Sequence, residues 1–193
     1  IETREKRILD FPIYDIDKKG ENALTLDFYR LHRLRPGYGY SNKEDITQKD
    51  KIPNGYCIWR IDVNNNTKIG IITYDQLIKI DHCESMDGAE HKVNHIMINP
   101  EGKRFMFLHR WIKNGVKTTR LLTANVDGSD IYNLSDDGMT SHCIWKDNSS
   151  ILGWVKKSNV GTGYFLMKDK SQQYERIAEK ELEVDGHPSY NKD

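Results

Sequence analysis

The stretch NHIMINPEGKRFMFLHRW at residues 94–111 holds two short apolar runs separated by the turn-forming residues NPEG. The same pattern returns in SHCIWKDNSSILGWVKK at residues 141–157, and its opening returns in GHPSYNKD at residues 186–193. One position is shared by His95, His142 and His187. The chain is therefore built from a repeated unit that begins with two strands joined by a turn.

Each unit continues with two further short runs rich in apolar residues. In the unit of His95 these runs are residues 118–126 and 130–135, joined by the hairpin sequence DGS. At the N-terminal end, residues 11–31 fit the same frame, with Ile13 in the histidine position. The remaining runs lie at residues 55–63, 68–74, 163–170 and 173–178. Four short strands in about 40–50 residues are typical of β-propeller blades.

We therefore predict an all-β fold, a β-propeller of four-stranded blades. This chain would supply about three blades and one strand of a larger ring of roughly six to eight blades. Residues 1–193 are expected to be one piece of that propeller, with the remaining blades elsewhere in the same protein. The predicted segments are the blades 10–80, 93–135 and 140–178, the inserts 30–55 and 80–92, and the first strand of a next blade at 186–193. The only helix indicated lies around residues 178–182.

Composition narrows the range of partners. Lys and Arg number 29, as do Asp and Glu, so no overall charge favours nucleic acid. No apolar stretch is long enough to cross a bilayer. Three cysteines without a C-x-x-C pair indicate neither a disulfide framework nor a zinc knuckle, and the compartment stays open.

The repeated histidines are the first candidates for a functional site. The first strand of a blade lines the channel of a propeller, and here it begins on the face that carries both inserts. His95, His142 and His187 are therefore expected to surround the channel mouth, with His109 at the upper end of a second strand. Such histidines either take part in chemistry or brace their blades through hydrogen bonds. His109 is the stronger functional candidate, because it is not repeated.

The insert contributes the second set of candidates, in RLHRLRPGYGY at residues 30–40. Arg33 and Arg35 suit the recognition of a carboxylate, and Tyr38 and Tyr40 offer flat faces for a sugar. The alternative is a solvated loop whose arginines pair with the acids of KED and QKD nearby.

The repeated stretches, together with DGHPSYNKD at residues 185–193, resemble the blades of oligogalacturonate-lyase-like propellers. These belong to a wider set with TolB-like, WD-type repeats. The segment DFYRLHRLRPGYGYS at residues 27–41 is similar to propeller proteins encoded near surface-polysaccharide genes, some of them labelled glycosyltransferases.

The resemblance implies a site for an acidic oligosaccharide at the channel mouth. It further implies a divalent metal, manganese or calcium, on His109, His187 and Asp185, and β-elimination from a uronate. Asp185 stands where the family carries a histidine, and Leu182 lies near the position of a family glutamine. In this enzymatic version His95 or His142 is the base, and Arg33 or Arg35 holds the substrate carboxylate.

We therefore predict a propeller that recognises an acidic oligosaccharide and is related to a metal-dependent lyase. Two alternatives stand beside it. One is a non-catalytic propeller whose histidines brace the blades and whose inserts bind a protein partner. The other is a protein of polysaccharide biosynthesis of the kind labelled a glycosyltransferase.

Overall fold

The computed structural model describes residue 6 and residues 8–190, and its architecture is all-β. Three four-stranded antiparallel sheets follow one another along the chain. In each sheet the strands are neighbours in chain order, so every connection within a sheet joins adjacent strands. The expectation of three units with four strands each is thereby confirmed.

The first sheet begins with the shortest strand of the three sheets, and the two α-helices follow its second and fourth strands. Its strands are β1 (Asp15–Ile16), β2 (Asn22–Leu26), β3 (Tyr56–Asp62) and β4 (Thr67–Thr73). Helix α1 (Phe28–Leu34) follows β2, and helix α2 (Tyr74–Lys79) follows β4.

The longest strands lie in the second and third sheets. The second contains β5 (Glu90–Ile98), β6 (Arg104–Lys113), β7 (Val116–Asn125) and β8 (Tyr132–Ser135). The third contains β9 (Thr140–Trp145), β10 (Ser150–Lys157), β11 (Gly161–Lys168) and β12 (Tyr174–Ile177). Strands β6 and β7 are joined by Asn114 and Gly115, both with positive φ, which is the two-residue hairpin that Asn-Gly favours.

The second sheet lies between the other two and is covered on both faces. One core joins it to the first sheet and includes Phe105 and Phe107, and a second core joins it to the third sheet and includes Met106 and Leu108. All four side chains are fully buried. This explains the unbroken apolar run FMFL, since alternate residues of β6 enter different cores.

The first strands of the three sheets adjoin one another through side-chain hydrogen bonds. The Ile98 N–H on β5 donates to Asp15 Oδ2 on β1 over 2.7 Å. The Trp145 Nε1–H on β9 donates to the Met97 carbonyl on β5 over 2.9 Å. The three leading edges therefore lie side by side, and each sheet is tied to the next at the same edge.

The helices differ from the sequence prediction. Residues 178–182 form a turn, with Ala178 at a positive φ of 48°, so the expectation of a helix there is wrong. Helix α1 instead lies at the start of the 30–55 insert, where Asp27 caps it by accepting from the N–H groups of Tyr29 and Arg30. Its Leu31 packs into the first core.

Two further predicted segments differ in detail. Strand β5 begins at Glu90, so the end of the 80–92 insert belongs to the second sheet. Residues 186–190 lie in no strand, and residues 191–193 are outside the described residues, so the predicted first strand of a fourth unit stays a prediction. Over the residues that the structure covers, no helix is long and apolar enough to span a membrane.

Candidate functional site

A cleft of about 230 Å³ opens where the leading edges of the three sheets meet the insert after α1. Every sheet contributes to it, and so does the segment after β12. It is lined by Tyr14, Arg35, Tyr38, Asn94, His95, Arg110, Lys117, Ser141, His142, Asp185 and His187. Six of the nine predicted site residues are brought together here: His95, His142, His187, Asp185, Arg35 and Tyr38.

A break in β5 places His95 in the cleft. The pairing of β5 with β6 shifts register between Asn94 and Met97, and His95 adopts a positive φ of 57°. The backbone N–H of His95 donates to the Tyr14 hydroxyl over 2.9 Å. A non-glycine residue in the left-handed region within a β-bulge is typical of strands re-aimed at functional sites.

His95 also connects two sheets. Its Nε2 lies 2.9 Å from the carbonyl oxygen of Cys143 and 3.2 Å from the N–H of the same residue on β9. Burial is the main cause that lowers the pKa of His95, so the neutral ring is favoured. This contact joins the second sheet to the backbone of the third, whereas the structural alternative expected each histidine to brace its own blade.

His142 has a different partner. Its Nδ1 lies 2.9 Å from Oδ1 of Asp185, and the ring of His187 stands beside it with a centroid distance of 3.9 Å. Because an ionised carboxylate only accepts hydrogen bonds, Nδ1 carries the proton that is shared with Asp185. In the neutral ring this leaves the lone pair on Nε2, which is the arrangement of a histidine base oriented by a carboxylate.

Positive charge is concentrated on one side of the cleft. Arg110 from β6, Lys117 from β7 and Arg35 from the insert all line it. The pKa of Arg110 is lowered first by burial and then by the charge of Arg35, and the pKa of Lys117 is lowered by burial, then by Arg110 and Arg35. Asp185 is the single acidic side chain among the described lining residues, and it is engaged by His142.

Lys92 extends this cationic group below the surface. Its side chain is buried, and its Nζ donates to the Leu34 carbonyl at the end of α1 over 3.0 Å. Burial first, and then the charges of Arg110, Arg35 and Lys117, lowers its pKa to about 7. Four cationic side chains thus repel one another around a cleft that holds little negative charge.

Two polar atoms beside these cations have no hydrogen-bond partner among the described residues. One is Oδ1 of Asn94, a residue only 5% exposed that lines the cleft, and the other is the buried Nε of Arg110. A buried polar group without a partner costs free energy. Both atoms are shielded from solvent, so each is a buried polar atom beside the cleft that no described residue satisfies.

Arg33 does not reach the cleft, although it was predicted to bind substrate. Its Nε donates to Asp45 over 2.8 Å and its Nη1 donates to Glu90 over 2.8 Å. These two carboxylates raise the pKa of Arg33 against the effect of burial. The prediction that the insert's arginines pair with KED is thus met at Arg33, while Arg35 stays at the cleft, stacked on Tyr38 with its guanidinium 4.7 Å from the ring centroid.

Tyr40 also lies elsewhere. Gly39 separates it from Tyr38, and a Cβ on this glycine would come within 2.1 Å of the Phe28 carbonyl, so only glycine lets the loop lie this close to α1. Tyr38 therefore faces the cleft, whereas Tyr40 stacks on Phe28 at a centroid distance of 4.6 Å.

His109 is fully buried, away from the cleft. Its Nε2 lies 2.9 Å from Nδ1 of His91, and its Nδ1 accepts from Nε of Arg120 over 3.1 Å. The other nitrogen of His91 faces the Met86 carbonyl, so both rings carry their proton on Nε2. Burial lowers the pKa of His109 well below its ordinary value, and the neutral ring serves to hold the loop before β5.

The residues present do not fit the implied divalent metal. His109 has both ring nitrogens occupied and is not among the residues that line the cleft with His187 and Asp185. Among the described residues, no group of three or more His, Cys, Asp and Glu side chains is arranged to hold a metal. The three predicted ligands therefore do not form one centre.

The sequence did not single out Tyr14, Asn94, Arg110 or Lys117. Arg110 follows His109 directly, and alternation along β6 points the two side chains to opposite faces. The pairing of Lys92 with Arg110 across β5 and β6 could have indicated the cationic site. Like charges directly opposite each other destabilise a sheet, so such a pair points to a function.

No family model, curated protein or solved structure matches this chain.

Proposed function

We propose that the three sheets are blades of a β-propeller and that the cleft binds the carboxylates of an acidic oligosaccharide. The propeller is supported by the four-stranded, up-and-down order of each sheet and by the side-by-side leading edges. In that architecture the cleft lies at the mouth of the channel, where the first strands begin.

The observation that carries the ligand class is the unbalanced charge. Arg35, Arg110 and Lys117 converge on a cleft in which Asp185, the one acidic side chain among the described lining residues, is already paired with His142. A bound carboxylate would relieve their mutual repulsion and accept hydrogen bonds from the charged groups that line the cleft. The affinity of such a site should fall as salt rises, because the cleft is open to solvent.

Sugar rather than a simple anion is supported by the other lining groups. Tyr14 and Tyr38 present rings, and Asn94 and the histidines offer hydrogen-bonding groups of both kinds. Nucleic acid is disfavoured by the equal numbers of acidic and basic residues and by the confined extent of the positive patch.

A second candidate function is elimination from the bound uronate, and the His142–Asp185 hydrogen bond favours it. His142 Nε2 would remove the proton on the carbon next to the carboxylate. The electron pair would form a double bond as the neighbouring carbon–oxygen glycosidic bond breaks, and the leaving oxygen would take a proton from solvent. Arg110 and Lys117 would stabilise the charge that develops on the carboxylate.

Binding of defined oligosaccharides tests the first function. Isothermal titration with a galacturonate hexamer should give binding to the wild-type chain, at least about tenfold weaker binding to Arg110→Gln, and unchanged binding to Lys103→Gln, which alters an exposed lysine outside the cleft. Equal affinity of wild type and Arg110→Gln would contradict the proposal.

Elimination is tested on the same samples. Absorbance in the unsaturated-uronate band should rise during incubation with the hexamer, with or without added manganese. Complete absence of that signal in a protein that binds the hexamer would leave the binding function and remove the lyase. A protein partner is the competing role, and it would be favoured if no uronate binds while the His95 brace remains intact.

A further inference from the structure

A second cavity, a groove of about 550 Å³, lies on the other side of the insert from the cleft. It is lined by Trp59 from β3, Phe28 from α1, Tyr40 from the insert and Thr25 from β2, among others. Its volume lies within the range of about 300–1,000 Å³ that is usual for small-molecule sites.

One buried side chain of the groove lining carries a polar group without a partner among the described residues. Thr25 is only 2% exposed, and its hydroxyl has no hydrogen bond to any described residue. A buried hydroxyl of this kind is both a donor and an acceptor, so it matches the hydroxyl of a ligand. The groove thus combines apolar and aromatic side chains with a buried hydroxyl group that no described residue satisfies.

The rim differs in charge from the cleft. Lys43 and Glu44 both line it, and Lys68 lies over the Trp59 ring with its Nζ 5.1 Å from the ring centroid. Both positive and negative side chains line the groove, whereas the cleft has a surplus of positive charge. A neutral ring that carries several hydroxyl groups fits such a rim better than an anion does, because each of its hydroxyls can both donate and accept.

A row of aromatic rings connects the two cavities. Tyr14 lines the cleft and stacks on Phe28 at 5.8 Å, and Phe28 stacks on Tyr40 at 4.6 Å in the groove. The same short loop supplies Tyr38 to the cleft and Tyr40 to the groove. The two cavities therefore flank one aromatic row and one loop.

We propose that the groove is a second carbohydrate site, which takes a neutral sugar ring on Trp59 and Tyr40 with one hydroxyl on Thr25. The groove and the cleft together indicate that the ligand is an oligosaccharide that contains both acidic and neutral sugar residues. The second part rests on the proposed function of the cleft, whereas the neutral-sugar site itself does not.

Three hexasaccharides separate these statements: a uronate-only galacturonate hexamer, a neutral cellohexaose, and a hyaluronan fragment in which glucuronate alternates with N-acetylglucosamine. The wild-type chain should bind the alternating hexamer about tenfold more tightly than the uronate-only one. Binding of either neutral-residue ligand should shift the indole N–H resonance of Trp59, assigned through Trp59→Phe.

Two matched pairs of variants locate the effect. Thr25→Val removes the hydroxyl at nearly constant volume and should remove the tenfold advantage, while Thr25→Ser keeps the hydroxyl and should retain it. Trp59→Leu should remove the advantage without changing the affinity for the uronate-only hexamer. Arg110→Gln should weaken both acidic ligands and leave the cellohexaose shift at Trp59 unchanged.

Several outcomes would contradict the proposal that the groove binds a neutral sugar. One is an unchanged Trp59 resonance with all three ligands, and another is an alternating hexamer that binds Thr25→Val and Trp59→Leu as it binds wild type. Sedimentation that shows a dimer abolished by Ile46→Asp would assign the groove to a protein contact instead. If neither acidic ligand binds, the function proposed for the cleft fails, and a Trp59 shift with cellohexaose still supports the neutral-sugar site.

Discussion

Asp185 holds His142 by a hydrogen bond of 2.9 Å between its Oδ1 and the imidazole Nδ1. The two residues come from different parts of the chain, one from β9 and one from the segment after β12. Within the part of the chain that the structure describes, Asp185 is also the one acidic group that lines the cleft, beside Arg35, Arg110 and Lys117. It therefore opposes the binding of an anion while it orients the histidine.

Asp185→Asn separates binding from chemistry. Removal of the negative charge should tighten the binding of the galacturonate hexamer by a few-fold, a gain of roughly 0.5–1 kcal/mol for a partly exposed charge. Elimination, if the hexamer is a substrate, should slow by roughly 100-fold or more, because an amide no longer fixes the ring with its proton on Nδ1. Titration calorimetry and the absorbance assay measure the two effects. Weaker binding to Asp185→Asn would place the anion elsewhere.

Because of Lys92, the free energy of unfolding should rise as the pH becomes alkaline. Its folded-state pKa is lowered to about 7 from about 10.4 in the unfolded chain, so between these values the unfolded chain binds more protons. Stability should therefore rise with pH across this window, by up to about 1.4 kcal/mol per unit from this group.

Lys92→Met has no such proton to lose. Urea denaturation at pH 7 and pH 9 should show a gain in unfolding free energy for wild type that exceeds the gain for Lys92→Met by about 1–3 kcal/mol. Lys168→Met, at an exposed position in β11, is the control and should behave as wild type. If the unfolding free energies of wild type and Lys92→Met rise equally between pH 7 and pH 9, the pKa of Lys92 is not lowered in the folded protein.

The buried pair of histidines should make the fold acid-sensitive. Burial lowers the pKa of both His91 and His109, so each is neutral in the folded state and takes up a proton in the unfolded state near pH 6.5. Stability is present above that pH and is lost as the pH falls below it. Between pH 7.5 and pH 5.5, we expect wild type to lose about 1–3 kcal/mol.

His109→Gln tests this arrangement, because its amide can donate to His91 and accept from Arg120 without titrating. The acid loss should shrink by roughly half, since His91 and His95, whose pKa values burial also lowers, remain. His109→Ala, which leaves Arg120 Nε and His91 Nδ1 unpaired, should cost about 2–4 kcal/mol at neutral pH. An exposed substitution, His82→Gln, should change neither value.

Arg30 should control the order of the insert. Its buried guanidinium donates to the carbonyls of His91, Thr47, Asp50 and Lys51 and to the Thr47 hydroxyl. Arg30→Met should destabilise the protein by about 2–4 kcal/mol and speed amide hydrogen exchange in residues 43–51, because these acceptors lose their donor.

Arg30→Lys keeps the charge but supplies three donors from one atom, so it should recover only part of the protection. Exchange measured by mass spectrometry on the peptides of the insert and on β10 as an internal reference gives the comparison. Identical exchange in wild type and Arg30→Met would show that the insert is held by its other contacts.

The sequence pattern predicted the strands well because alternate side chains of a strand point to opposite faces of the sheet, so burial on one face leaves a two-residue period in the sequence. Alternation and turn residues located the hairpins of the second and third sheets, and the repeat located the three sheets. Helix α1 was missed, because its seven residues are too short to establish a helical period and depend on Asp27 and on the packing of Leu31. The helix expected near residue 178 was wrong for the converse reason, since no core lies under it.

The cleft was predicted in part. His95, His142 and His187 share one repeated position, so equivalent strands carry them to one place. The choice between His109 and Arg110 depended on which face of β6 meets the cleft, and neighbouring residues on a strand point to opposite faces. Likewise, Arg33 and Arg35 look alike in the sequence, yet only Arg33 has Asp45 and Glu90 within reach.

The sequence by itself determined the all-β class, the division into three four-strand units and the common position of the histidines, because these depend on residues close along the chain. Only the tertiary structure decided that Arg35, Arg110 and Lys117 line one cleft, that Asp185 pairs with His142, and that His109 is buried. Those relations join residues from different sheets, and packing sets their distances. The charges and the burial that shift the pKa values in the cleft therefore come from residues far apart in the sequence, and no local pattern predicts them.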